Sequence, residues 1–143
     1  MRVLRILIGL ITATSVVAAT VGAGPQTSQI AEGKKDYDFY CASCHGAEGK
    51  GDGTLGKTLR KRPADLTQLA KKNQGQFPAE AVAQLIDGRT SDEAHRKGDM
   101  PLWGDVFSKS QTSAGPEDVK ARIDALVKYL ETIQDKSEHQ LAP

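Results

Sequence analysis

The segment CASCH at residues 41–45 places two thiols and an imidazole next to one another. Cys41 and Cys44 are the only cysteines of the chain, and His45 follows the second one directly. Thiols at this spacing can form a disulfide, act as a redox-active C-x-x-C pair, bind a metal ion or attach a haem group covalently. The surrounding sequence indicates which of these four uses is favoured.

Two of these uses fit the surrounding sequence poorly. A thioredoxin-like pair follows a strand in a β/α framework, whereas this pair follows a helix-like segment and strand-like alternation is sparse. A zinc site would lack one ligand, and His45 is too close to Cys44 for the usual separated ligand pairs. The C-x-x-C-H spacing favours c-type haem attachment, with one haem c bound through Cys41 and Cys44 and His45 as its axial ligand. A structural disulfide remains the alternative.

The iron of an electron carrier usually has a second protein ligand, for which a methionine sulfur is one common choice. Met100 is the only methionine besides Met1. It lies in GDMPLWG, where Gly98 and Pro101 indicate a loop. The alternative is that Met100 fills a gap in the core, but a loop position argues against this role.

Other candidates for the sixth ligand are few. His95 lies in a charged stretch that is typical of a solvated loop, and His139 lies in a polar tail. Lys97 could replace a methionine ligand when it is deprotonated. We therefore predict His45 and Met100 as the axial pair and the metal ligands, with His45 and His95 as the next choice.

Hydrophobic periodicity predicts the helices that position these groups. Residues 29–40 form the first predicted helix, with Ile30, Gly33 and Tyr37 on one face. Because a glycine inside a helix is unfavourable, Gly33 indicates that another helix approaches closely there. The partner is a predicted helix that begins at Pro116. Its apolar stripe consists of Val119, Ile123, Leu126, Leu130 and Ile133.

Shorter elements are predicted between these two helices. DLTQ at 65–68 resembles a capping box, with Asp65 as N-cap and Gln68 reaching back to it. A helix is predicted over 78–87, with Gly88 as its stop. Loops are predicted over 46–63, which contains five glycines, and over 107–114. The residues expected to point inward from the 78–87 helix are Val82, Leu85 and Ile86.

The N-terminus has the pattern of a secretory signal peptide. Arg2 and Arg5 precede an apolar stretch over 6–21, and small residues follow. We predict a signal peptide over residues 1–23, cleaved between residues 19 and 24, a single domain over 24–135 and a polar tail over 136–143. An uncleaved membrane anchor is the alternative, although the stretch falls short of the ~20 residues that a spanning helix needs. Cleavage would leave a formal charge of −1, which does not favour binding to nucleic acid.

Taken together, these motifs resemble class I single-haem cytochrome c. The resemblance covers residues 29–133 and rests on the order of the Gly33/Tyr37 helix, CASCHG, RPADLT, the helix that ends in DGR, GDMPLWG and the last helix with LVKYL. It implies an all-α fold, a small cytochrome c-like domain of three to five helices wrapped around one covalently bound haem. In four-helix cytochromes the C-x-x-C-H motif lies near the C-terminus instead.

The resemblance also implies roles for individual residues. Gly33 and Tyr37 would cross the last helix at Leu126 and Tyr129. The backbone carbonyl of Pro63 would accept a hydrogen bond from His45 Nδ1–H. Trp103 would pack near the haem propionates, unless it serves only as a core residue. Pro63 and Trp103 are thus expected to contribute to haem binding.

The function expected from this sequence is one-electron transfer by an exported, periplasmic, monomeric carrier rather than by an enzyme. Its partners would be redox proteins, namely a donor dehydrogenase or reductase and an acceptor oxidase or reductase, with membrane association only if the leader is retained. The alternatives are a haem catalyst or sensor with a labile sixth ligand, or a fixed cytochrome subunit of a larger oxidoreductase.

Basic residues could steer docking onto an acidic partner, although most exposed basic residues simply face solvent. The candidates are Arg60, Lys61, Arg62, Lys71, Lys72, Arg89, Arg96 and Lys97.

Overall fold

The computed structural model describes residues 25–89, 99–110 and 115–135. Within these ranges the α-helices are α1 Pro25–Asp36, α2 Ala42–His45, α3 Leu69–Lys72, α4 Ala79–Asp87, α5 Trp103–Lys109 and α6 Pro116–Thr132. A π-helix, Tyr37–Cys41, joins α1 to α2, and 3₁₀ turns lie at Leu55–Thr58 and Leu66–Gln68. The described residues contain no strand, and the all-α class predicted from the sequence is confirmed.

Some predicted features lie outside the described residues. These are the leader over 1–23, the tail over 136–143, the segment 90–98 with His95 and Lys97, and residues 111–114 of the predicted loop. Among the helices that are described, none has the length and apolar character needed to cross a membrane.

The first helix begins and ends earlier than the pattern over 29–40 predicts. It starts at Pro25, because proline is favoured at the first helical position, where its missing N–H needs no partner. It ends at Asp36, after which the Ala42 N–H bonds to the Tyr37 carbonyl five residues back and widens the backbone into the π-helix. A period of 3.6 residues does not distinguish this π turn from the α-helix before it.

The last helix, α6, has the predicted apolar stripe and is buried over a wider surface than that stripe. Pro116 lies in its first turn and acidic residues follow, where the helix dipole favours negative charge. Ile133 is only partly buried, whereas Ala125, Val127 and Tyr129 are buried in addition to the stripe. Both α1 and α4 pack against α6, so more than one face of it is covered. The buried members of the stripe are Val119, Ile123, Leu126 and Leu130.

The crossing of α1 and α6 is the largest contact between helices in the described residues. Gly33 lies against the backbone at Ala125, next to the predicted contact residue Leu126. The rings of Tyr37 and Tyr129 lie 5.2 Å apart. The contacts of Gly33 and Tyr37 with the last helix are therefore confirmed, and they fix α1 just before the CASCH segment.

The predicted capping box at 65–68 is only half present. The Asp65 carboxylate accepts a hydrogen bond from the Thr67 N–H at 2.9 Å, as an N-cap should. The prediction for Gln68 is wrong, because its amide donates to Thr67 Oγ1 and to the Asp135 carboxylate instead of returning to Asp65. The residues that follow α6 contact this turn. The Asp135 carboxylate accepts the hydrogen bond from Gln68, and the Gln134 amide donates to the Leu66 carbonyl at 2.8 Å.

Helix α4 begins one residue later than predicted, with Pro78 as its N-cap, and otherwise differs from the prediction only at Leu85. It ends at Asp87, and the predicted stop Gly88 follows as C-cap in the left-handed conformation with φ of 70°. Val82 and Ile86 are buried, but Leu85 is 39% exposed, so the inward orientation predicted for Leu85 is wrong. At 3.6 residues per turn each residue is rotated by about 100° from the one before it, so Leu85 lies to one side of the direction in which both Val82 and Ile86 are buried.

The prediction of a loop over 107–114 is wrong at its first residues, because α5 continues to Lys109. Phe107 lies inside α5 and is fully buried in the core. Trp103 and Phe107 are four residues apart, so both rings lie on the same side of this short helix, 5.8 Å from each other. This contact stabilises α5, which the sequence analysis did not predict because polar residues interrupt its apolar pattern.

Candidate functional site

The CASCH segment forms the turn that ends the first helical run. Cys41 is the last residue of the π-helix, and Cys44 and His45 lie in α2. Both cysteines are free thiols and are partly buried. Gly46 follows with a φ of 84° and ends the turn, because most other residues are strained in that conformation. The Tyr37 hydroxyl donates to the Gly46 carbonyl at 2.6 Å and so connects the helix crossing to the end of this turn.

The environment of Cys41 disfavours thiolate chemistry. Burial raises the pKa of this thiol to about 12, and the negative charge of Asp36 and the neighbouring Cys44 act in the same direction. A redox-active C-x-x-C pair depends on a thiol whose pKa is lowered, typically by a helix N-terminus or a cation. The arrangement therefore argues against a thioredoxin-like nucleophile at Cys41.

His45 is oriented by a backbone carbonyl on the other side of the loop. Its Nδ1 lies 3.0 Å from the Ala64 carbonyl oxygen, so the tautomer with Nδ1–H donates there and leaves Nε2 with a free lone pair. Burial lowers the pKa of His45, and the bond to Ala64 opposes this shift only partly. A neutral imidazole with one free nitrogen is the form that binds a metal ion.

The prediction that Pro63 provides this carbonyl is wrong by one residue. The Pro63 carbonyl instead points at Gly51, where an added Cβ would lie 2.4 Å from the oxygen. Successive carbonyls of an extended chain point in opposite directions, so an error of one position changes which carbonyl faces His45.

Pro63 nevertheless lies close to the CASCH turn. A Cβ placed on Gly56 would lie 2.6 Å from the Cys44 carbonyl oxygen and 3.0 Å from Cγ of Pro63. Only a glycine backbone fits between these two groups. The 46–63 loop, interrupted by one 3₁₀ turn, thus packs directly against the turn that carries both thiols.

Met100 lies in the predicted loop just before α5, and its side chain is 40% exposed. The preceding residue attaches this segment to the loop after CASCH. The Asp99 carboxylate accepts hydrogen bonds from the Arg60 backbone N–H at 3.2 Å and from the Arg60 guanidinium at 3.3 Å. The segment carrying the candidate sixth ligand is therefore connected to the loop that packs against Cys44.

Trp103 lies beside Tyr40, the residue that precedes the CASCH segment. Its ring is 5.4 Å from that of Tyr40, which directly precedes Cys41. The two rings meet edge to face, at an interplanar angle of 68°. This contact brings the start of α5 next to the end of the π-helix.

The donor set is compatible with haem c. It combines two free thiols with a neutral imidazole whose Nε2 is available. Leu55 is 54% exposed and Met100 is 40% exposed, which leaves apolar surface that a large planar cofactor would cover. Thiols, imidazole and thioether are the protein ligands and attachment groups of c-type haem.

Three contributors to the site were missed by the sequence analysis. Ala64 acts through its backbone, so its side chain gives no signal. Asp99 contacts Arg60, which lies 39 positions away, and Asp36 contacts Arg122, which lies 86 positions away. No local pattern predicts pairs so distant in sequence.

Comparison with known proteins identifies relatives of this chain. Residues 28–130 match the family model described as cytochrome c oxidase, cbb3-type, subunit III. The chain is 26% identical over 116 residues to chloroplastic cytochrome c6 of Chlamydomonas reinhardtii, a match that covers 80% of this chain and 70% of that protein. No solved structure matches the chain significantly.

The family match begins before CASCH and continues nearly to the end of α6, so it includes the helix crossing and the predicted haem-binding residues Cys41, Cys44, His45 and Met100. It supports haem binding and electron transfer and implies haem c as the cofactor. The chain belongs to the family of cytochrome c oxidase, cbb3-type, subunit III.

Proposed function

We propose that this protein is an exported cytochrome with a single haem c that carries one electron at a time between redox proteins. The observation that carries the proposal is the His45 ring, held at Nδ1 by the Ala64 carbonyl so that Nε2 is free beside two unpaired thiols. When bound, the haem would supply the iron that alternates between the ferric and ferrous states. Cys41 and Cys44 would attach it, and His45 and Met100 would be the axial ligands.

Each ligand has a distinct role in this proposal. The Ala64 carbonyl would fix the orientation of the His45 ring and increase its basicity as a ligand. The Met100 sulfur would favour the ferrous iron relative to a second imidazole and so raise the reduction potential. Since both ligands would stay bound in both oxidation states, little reorganisation would accompany electron transfer. Pro63 and Trp103 would pack near the cofactor.

The site of electron exit would be the cofactor edge beside the thioether bonds. Ser43 is exposed and Ala42 is partly buried, and both side chains are small. A redox partner could therefore approach closely at this turn. Arg60, Lys61 and Arg62 are exposed on the loop that packs against Cys44, and we propose that they favour an acidic partner.

Electrostatic docking would be tested with Lys61→Gln. The rate of electron transfer to an acidic partner should fall with the loss of this charge and with increasing ionic strength. Lys128→Gln is the control, because Lys128 lies on α6 in an exposed pair with Glu131. Equal rates for both variants and the parent, at every salt concentration, would contradict a role for Lys61.

A fixed subunit of a larger oxidoreductase is the second candidate, because the family description names a subunit of cytochrome c oxidase. A free carrier should be recovered alone, as a monomer, from the periplasmic fraction after cleavage between residues 19 and 24. A fixed subunit should instead co-purify with a membrane-bound oxidase. The N-terminal sequence and the mass of the mature protein would distinguish a cleaved leader from a retained anchor.

Visible spectroscopy of the exported protein tests the ligand assignment. The parent should show covalently held, low-spin haem and the weak far-red ferric band of iron–sulfur ligation. Met100→Ala should abolish that band, admit external ligands and lower the potential by on the order of 100 mV, because axial ligands set haem potentials over a range of about 0.8 V.

Val106→Ala is the control for Met100→Ala, because it truncates another partly exposed apolar side chain, in α5. It should keep the far-red band. Low-spin haem without the band in the parent would point to His95, and high-spin haem would favour the catalyst or sensor. A spectrum of Met100→Ala identical to that of the parent would refute ligation by Met100.

A further inference from the structure

A partly buried ion pair joins the end of α1 to the middle of α6. Arg122 Nε donates to one carboxylate oxygen of Asp36 and Arg122 Nη2 to the other, both at 2.6 Å. The two side chains are only 20% and 16% exposed. The parallel bonds of this pair use the planar fork of the guanidinium, which fixes direction as well as distance.

The same guanidinium lies against two aromatic rings. Its central carbon is 4.3 Å from the centre of the Phe107 ring and 5.0 Å from that of Tyr40. The two rings are themselves 5.4 Å apart and meet edge to face. Arg122 therefore contacts Asp36, Tyr40 and Phe107 at once, and its position is determined by all three.

These three contacts lie on the segments that lead to the proposed ligands. Asp36 ends α1, and Tyr40 lies in the π-helix directly before Cys41. Phe107 lies in α5, which begins three residues after Met100. Trp103, at the start of α5, contacts both aromatic rings of the cluster. One side chain on α6 thus joins the segment before the haem attachment turn to the segment after the Met100 loop.

The ion pair is largely withdrawn from water, so a contribution to stability is not the only role that its geometry allows. Replacing a buried ion pair by well-packed apolar side chains is often neutral or stabilising, because removing two charges from water is costly. The crossing of α1 and α6 already has its own packing at Gly33 and Tyr37. A directional contact at the π-helix, by contrast, can set a precise geometry, and π turns frequently occur at functional sites.

We propose that Arg122 is a positioning residue that holds the π-helix and α5 in the relative placement that keeps the Met100 sulfur on the iron. This rests on the proposed function, in which His45 and Met100 are the axial ligands. Arg122 touches neither ligand. It acts through Asp36 and Tyr40 on the side of His45, and through Phe107 on the side of Met100.

The test uses the haem-loaded protein with Arg122→Lys, which keeps the charge but loses the planar fork, and with Asp36→Asn, which keeps one oxygen acceptor. The readouts are the far-red sulfur band, the reduction potential and the affinity of ferric iron for imidazole, which competes with Met100. Arg122→Lys should weaken the band, lower the potential and raise the imidazole affinity roughly tenfold, the effect expected from losing one coupled contact. Asp36→Asn should shift the same readouts in the same direction by less.

Lys120→Gln is the matched control, because Lys120 forms an exposed pair with Asp124 on the same helix. It should leave all three readouts at the parent values. If Arg122→Lys and Asp36→Asn retain the parent band, potential and imidazole affinity, the positioning role is overturned, even if both lower the stability. If the parent itself lacks the sulfur band, ligation by Met100 is wrong and the role of Arg122 falls with it.

Discussion

A Cβ atom placed on Gly33 would lie 1.9 Å from the carbonyl oxygen of Ala125. At this point the backbones of α1 and α6 touch, so Gly33→Ala would force the two helices apart. Overpacking of this kind typically costs about 1–3 kcal/mol, and the rigid backbone on both sides places the expected loss at the upper end of that range. Chemical denaturation of the haem-loaded protein would measure it.

Gly115→Ala is the control for this substitution, since nothing lies within 4 Å of the Cβ that it would add. It makes the same chemical change at a position with open space. The free energy of unfolding should fall by less than about 1 kcal/mol, because the only expected loss is that alanine is a poorer N-cap of α6 than glycine. Equal losses for Gly33→Ala and Gly115→Ala would show that the close approach of α1 and α6 is not the cause.

Gly51→Ala should disturb the hydrogen bond that orients His45. Gly51 has a φ of 73°, and a Cβ there would meet the Pro63 carbonyl at 2.4 Å. Relief of this clash would displace the segment that contains Ala64. We expect a loss of about 2 kcal/mol or more, combining backbone strain with overpacking, and a change in the reduction potential.

Gly75→Ala is the control that separates backbone strain from displacement of the segment that contains Ala64. Gly75 also has a positive φ, 84°, but it lies in the exposed turn after α3. It should show a loss of stability of about 1 kcal/mol from backbone strain alone and no change in potential. A shift in potential of the same size for both variants would refute a specific effect on His45.

Asp99→Asn should loosen the Met100 segment. The Asp99 carboxylate holds the backbone and the guanidinium of Arg60, and the amide would weaken both bonds. Because Arg60 is largely exposed, the effect should stay below about 1 kcal/mol, that is, up to about fivefold tighter imidazole binding to the ferric protein. Asp124→Asn, on α6, is the control and should leave imidazole binding unchanged. If Asp99→Asn also left imidazole binding unchanged, the contact between Asp99 and Arg60 would have no role in holding the Met100 segment.

The Asp87–Arg89 pair should contribute stability that depends on pH. Hydrogen bonding to Arg89 lowers the pKa of Asp87 below its ordinary value of 3.8. The folded state therefore gains stability above that value and loses it as pH falls through the lowered pKa. At pH 7, Asp87→Asn should be less stable than the parent by under about 1 kcal/mol, as for a partly exposed pair, and the difference should vanish once the pH has fallen below the lowered pKa of Asp87.

Denaturation at a series of pH values would measure this difference, because acid-sensitive groups common to both proteins cancel. Arg89→Gln should remove the same pH-dependent component, and the double variant should lose no more of it than either single variant. A difference between Asp87→Asn and the parent that does not shrink as the pH falls from 7 to below the ordinary Asp87 pKa of 3.8 and on to acid unfolding would contradict the assignment.

The all-α class and the helices that cross were predictable from the sequence and are confirmed, whereas the haem chemistry of the CASCH segment was predicted from residue type and spacing and stays a prediction. Those features are local or periodic: Gly33 and Tyr37 recur on one helix face, and Pro116 begins an amphipathic helix. Cys41, Cys44 and His45 are identified by type and spacing alone. Such signals survive because neighbouring residues in the chain remain neighbours in the fold.

The groups that support those residues depend on how the chain packs. Packing placed the Ala64 carbonyl rather than that of Pro63 on His45, joined Asp99 to Arg60, and surrounded Arg122 with Asp36 and two rings. Backbone carbonyls carry no side-chain signature, and contacts between distant positions depend on how helices pack. These supports therefore become visible only when the chain is folded.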